Sequence, residues 1–106
     1  MRVPPIAANA SNMTYLMISK SPVGTMAGFN QVLAALEVTE PDGLLARYAG
    51  EDDGLAIVTV WESKVQADRF EAEHLLPTIR RVLGEIPGPP PMFIAFEPQD
   101  EFVLTS

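Results

Sequence analysis

The chain has 106 residues, with 7 Lys plus Arg against 14 Asp plus Glu, one His and no Cys, for a formal charge of -7. That length is the size of one domain, and the 47% hydrophobic and 20% charged fractions are those of a globular chain rather than a disordered one. The acidic balance argues against a nucleic-acid partner, whose phosphates need a positive surface, and the absence of Cys removes disulfides, Cys zinc sites and a Cys nucleophile.

Residues 1–13, MRVPPIAANASNM, read as a flexible leader ahead of a single domain over residues 14–106. Pro4 and Pro5 interrupt an apolar stretch that already falls short of the roughly 7–15 residues of a signal peptide. No apolar run approaches the roughly 20 residues of a membrane span. The expected compartment is therefore the cytoplasm, with no membrane partner.

Thr14 to Lys20 is the first strand, apolar on both parities, with Tyr15 and Met17 on one face and Leu16 and Ile18 on the other. After the turn Ser21-Pro22-Val23-Gly24, Thr25 caps a helix from about Met26 to Leu36. Met26, Phe29, Leu33 and Leu36 make its apolar face. Glu40-Pro41-Asp42-Gly43 turns the chain into the second strand, Leu44 to Ala49. Gly50 to Gly54 is an acidic hairpin loop in which Asp53-Gly54 supplies positive φ. Leu55 to Trp61 is the third strand, β-branched and apolar on both parities, and so central. Ser63 with Gln66 forms a capping box at the start of a second helix. Pro77 predicts a break or kink in that helix, with a further segment from about Pro77 to Leu83 stopped by Gly84. Ile86 to Pro91 is a stiff connector, and Met92 to Phe96 is the fourth strand. Phe102-Val103-Leu104 reads as a short extra strand or as an arm laid on a neighbour.

The order β-α-β-β-α-β predicts an α+β, ferredoxin-like fold: a four-stranded antiparallel sheet with both helices on one face. Strands apolar on both faces leave one face uncovered by helices. That predicts a homodimer through the sheet face, most simply about a two-fold axis.

The segment Val58-Thr59-Val60-Trp61-Glu62-Ser63-Lys64, followed by Phe70 and Leu76-Pro77, resembles the dimeric α/β barrel superfamily. It is most similar to the antibiotic-biosynthesis-monooxygenase-like branch, over roughly Thr14 to Glu97. The resemblance implies a small apolar or aromatic ligand held between sheet and helices. It also implies a cofactor-independent oxidation of a flat phenolic or quinol-type substrate, with no cofactor and no metal. Two alternatives go with it: a non-catalytic, stress-related or ligand-binding dimer, and a haem-binding or haem-degrading protein. Relatives pair the strand-ending Trp with a strand Asn; here Asn9, Asn12 and Asn30 all fall off the predicted strands.

The candidate catalytic residues are His74 and Trp61. His74, the only His, is of the residue type that suits proton transfer or iron ligation; flanked by Glu71 and Glu73, it reads equally as a wet groove residue. Trp61 could stack on a flat ligand or anchor the strand-to-helix turn. The candidate substrate-binding residues are Tyr15, Tyr48, Arg47 and Trp61. Either phenol could bond a substrate oxygen or simply belong to a barrel wall. Arg47, inside an apolar strand, must face solvent, pair with a carboxylate or bind an anion. Met13, Met17, Met26 and Met92 read as core fillers, and Glu51-Asp52-Asp53 as a solvated hairpin tip rather than a cation site.

Overall fold

The computed structural model describes residues 14–85 and 87–104; the expected leader, with Met13, Asn9 and Asn12, lies outside them. The elements run β1 (Tyr15–Ser21), α1 (Met26–Ala35), β2 (Leu44–Glu51), β3 (Leu55–Trp61), α2 (Lys64–Phe70), a π-helical turn (Glu71–Leu75), α3 (Leu76–Leu83) and β4 (Met92–Phe96). The strands form one antiparallel sheet in the order β2-β3-β1-β4. β3, expected to be central, pairs with β1 in the middle of the sheet, while β4, apolar throughout, lies at an edge.

Local chemistry accounts for the boundaries. The Thr25 hydroxyl accepts from the Gly28 amide at 3.0 Å, and the Glu51 carboxylate accepts from the Met26 amide at 2.6 Å. The second contact ties the end of β2 to the N-terminus of α1, where a negative charge is favoured. Asp53 and Gly54 take φ of 62° and 114° and close the β2–β3 hairpin as expected. The Ser63 hydroxyl caps α2 by accepting from the Gln66 amide at 3.2 Å. The side-chain half of the expected capping box is different. Gln66 Nε2 donates to Asp42 at 3.2 Å, which pins the β2 approach to α2. Gly84 stops α3 with φ 69°.

The disturbance expected at Pro77 takes the form of a widened turn just before it rather than an interruption. A proline in an α-helix drives its ring into the carbonyl four residues back and offers it no N–H. Here the preceding turn widens instead: the Leu76 amide donates to the Glu71 carbonyl, five residues back. The chain stays helical from Lys64 to Leu83.

Register separates the two sheet faces. Tyr15, Met17, Leu55 and Trp61, all buried, share one parity and face the helices. The core gathers Tyr15, Met17, Trp61 and Ala67, with Leu44, Phe70 and Ala95 packed on it, beneath α2 at one end of the sheet. The other face carries Leu16, Ile18, Val58, Val60, Tyr48, Met92, Ile94 and Phe96. No helix covers it: Tyr48, Met92, Ile94 and Phe96 are between 44% and 67% exposed.

Candidate functional site

The helix-facing end of the sheet assembles an aromatic stack. Tyr15 and Trp61 are direct cross-strand partners. The Phe70 ring lies 5.5 Å from Trp61, centroid to centroid, and the His74 ring lies 5.9 Å beyond Phe70. Helix spacing makes this possible, because Phe70 and His74 are four residues apart on one side of the α2–π segment. The stack therefore runs outward from a buried Trp to a half-buried His.

Trp61 is only 3% exposed, and its indole N–H donates to the Thr59 hydroxyl at 2.9 Å. Its donor is thus satisfied inside the sheet, and the indole backs the stack. Phe70 and His74 are the half-buried members. The rim is charged. Lys64 Nζ bonds Asp68 at 2.7 Å and stands 6.0 Å from the Tyr15 ring centroid. The hydrogen bond to Asp68 and its charge hold the Lys64 ammonium above its ordinary pKa. Burial, with the Asp68 charge adding to it, pushes the Glu71 carboxyl above its ordinary value.

The remaining expected site residues lie elsewhere. Arg47 faces the helices, with its guanidinium 5.8 Å from the Phe29 ring centroid. Arg47 is exposed, which is the solvent-facing outcome among the three expected for it, and its cation also stands over an aromatic face. Tyr48 sits on the uncovered face, opposite Val58, across the sheet from Tyr15 and Trp61. So the structure brings Tyr15, Trp61 and His74 into one neighbourhood and leaves Arg47 and Tyr48 out of it. Thr59, Lys64 and Glu71 belong to the neighbourhood and were not singled out as site residues. For Thr59 the signal was its place two residues before Trp61 on the same strand face. Among the described residues no strand carries an Asn, and no group of three His, Asp or Glu side chains could hold a metal ion. No described helix is long and apolar enough to cross a membrane.

Sheet order, helix placement and element order define an α+β, ferredoxin-like domain. Among solved structures it is similar to a monooxygenase from the gene ActVA-Orf6 of Streptomyces coelicolor, determined in complex with the ligand nanaomycin D. The two chains share 22% identity with a TM-score of 0.52, over 94% of this chain and 99% of the other. No family model matches the sequence, and no curated protein matches it either.

Proposed function

We propose that the protein is a monooxygenase-like, small-molecule-binding homodimer that oxidises a flat phenolic or quinol-type substrate without a bound cofactor. The observation that carries this reading is the Tyr15–Trp61–Phe70–His74 stack between sheet and helix. It occurs on a fold shared with a monooxygenase solved with an organic ligand. A planar ligand would lie against Phe70 with Trp61 stiffening the wall behind it. The His74 imidazole would take the phenolic proton. The resulting electron-rich anion reduces dioxygen directly: a phenol plus O2 gives a quinone plus water, so the substrate is the reductant and no cofactor enters the balance.

The homodimer forms through the uncovered sheet face. Its support is the apolar row Tyr48, Val58, Ile18 and Ile94 that the register runs across all four strands, with Met92 and Phe96 beside it on β4, a surface of the kind monomers rarely leave in water.

Oxygen uptake with naphthol- and anthrone-type substrates, without added flavin or metal, tests the chemistry. His74→Ala should lower kcat on the order of a hundredfold or more, while Phe70→Ala should raise KM. No uptake above the protein-free rate would overturn catalysis. A second reading, a non-catalytic ligand-binding dimer, draws on two observations: the closed Trp61–Thr59 bond and the lack of a strand Asn among the described residues. It predicts ligand-dependent quenching of the single Trp with no turnover.

A further inference from the structure

A sheet face that helices cover is buried along its central strands, yet the helix-facing side of β1 is buried only in part. Tyr15 and Met17 are buried there, whereas Ser19 is half-buried. The cross-strand partners of Ser19 are Ile57 on β3 and Phe93 on β4. Ile57 is also half-buried, and Phe93, on the same parity as the core, is 53% exposed. The helical segment explains the opening. α2 lies on the sheet, with Ala67 and Phe70 packed among Tyr15, Met17 and Trp61. Past the π-helical turn the chain is held by α1 instead. Arg81 Nη2 donates to the Ala35 carbonyl at 3.3 Å, and the Leu83 methyls lie against Gly28. A segment tied to the sheet at its start and to α1 at its end leaves a trough beneath the turn, floored by Ser19 and Phe93.

The same turn carries His74. The segment runs along β1, because Trp61 opposes Tyr15 just before it begins and Met92 opposes Lys20 where the next strand starts. At the strand rise Ser19 lies about 13 Å from Tyr15, and at the helical rise His74 lies about 15 Å from Lys64. The two residues therefore stand level, one on the floor of the trough and one on its roof. Polar neighbours of Ser19 on this sheet face are engaged within the fold: Thr59 accepts from Trp61, Glu51 accepts from the Met26 amide, and Arg47 stands over Phe29.

We propose that the Ser19 hydroxyl is the second polar contact of the substrate. It holds an oxygen on the edge of the ligand away from the phenol that His74 meets, with Phe93 as the apolar floor beside it. This deepens the small-molecule site proposed above and rests on it. The substrate class narrows to a fused-ring phenol with a second oxygen on its far edge. A hydroxyl suits either form of that oxygen, since it donates to a carbonyl and accepts from another hydroxyl.

Calorimetric titration of the full chain under nitrogen, with 1-naphthol and 1,5-dihydroxynaphthalene as probes, tests the proposal without turnover. The diol should bind about five- to tenfold more tightly, the worth of one neutral hydrogen bond. Ser19→Ala should erase that preference and leave the 1-naphthol Kd unchanged. Ser19→Thr, which keeps a hydroxyl on a side chain suited to a strand, should restore it. Phe93→Ala should weaken both probes alike. No preference in the wild type, an intact preference in Ser19→Ala, or equal weakening of both probes by that variant would overturn the Ser19 contact and leave the small-molecule site standing. Wild-type protein that binds neither probe would overturn the site and the Ser19 contact together. The expected Ser19 pattern without oxygen uptake in air would uphold the contact and overturn catalysis alone.

Discussion

Trp61 shows how one side chain can be assigned two roles by type and only one by placement. An indole at the end of a central strand looks like a ligand platform, yet its N–H is spent on Thr59 and almost none of it meets solvent. Its first duty is to join β3 to the helix above it. Thr59→Val keeps the shape and removes the acceptor, leaving a buried N–H unsatisfied. Chemical denaturation should show a loss of about 1–3 kcal/mol. An unchanged midpoint would mean that the bond contributes nothing. Glu71 gives a second residue-level expectation. Burial first, and Asp68 next, raise its folded-state pKa above the ordinary 4.5. A raised carboxyl pKa favours the protonated form in the folded state, so the associated stability is complete below pH 4.5 and is lost as pH rises through the folded value. Glu71→Gln should therefore raise Tm at pH 7 and leave it nearly unchanged at pH 4. A uniform shift at both pH values would contradict the assignment.

At the scale of the elements, most boundaries were legible because they are local chemistry. Thr25 and Ser63 cap the helices they precede, and Asp53-Gly54 turns the hairpin. Pro77 was read correctly as a disturbance followed by a further helical segment, and the form of the disturbance was left open between a break and a kink. Proline chemistry specifies that the regular ladder cannot continue, not how the helix accommodates it. Packing on both sides keeps the segment helical, so the cheaper solution is a widened turn. That turn also carries Glu71 and His74, so the proline disturbance and the candidate proton carrier share one piece of backbone. The hairpin supplies the clearest test. Gly54 has φ 114°, and a Cβ there would run into the Ser21 carbonyl oxygen. Gly54→Ala should lower stability by more than about 1 kcal/mol in thermal melts, because both the backbone conformation and the contact oppose it.

At the scale of the whole molecule, one sheet face is satisfied by helices and the other is not. Two features mark the open face: the apolar band and Lys20, the charged strand residue that shares it. If a second copy covers it, stability and association are one equilibrium. Tm should rise with protein concentration, and Ile94→Asp, midway along the β4 edge of the band, should yield a monomer with a concentration-independent, lower Tm. A variant that remains dimeric in sedimentation would move the interface elsewhere.

The order of elements, their caps and turns, the central position of β3, and the presence of one uncovered apolar face were all determined by the sequence alone. Each follows from neighbours within a few residues or from the alternation of a strand. Alternation divides a strand into two faces but does not say which face receives the helices, and that choice is tertiary. It put Tyr48 on the open side, set Arg47 over Phe29, and left Tyr15, Trp61 and His74 in one neighbourhood. It also closed the Trp61 N–H on Thr59, in the core that helix packing builds. Such partnerships join residues brought together by sheet register and helix packing, and their spacing along the chain does not specify them.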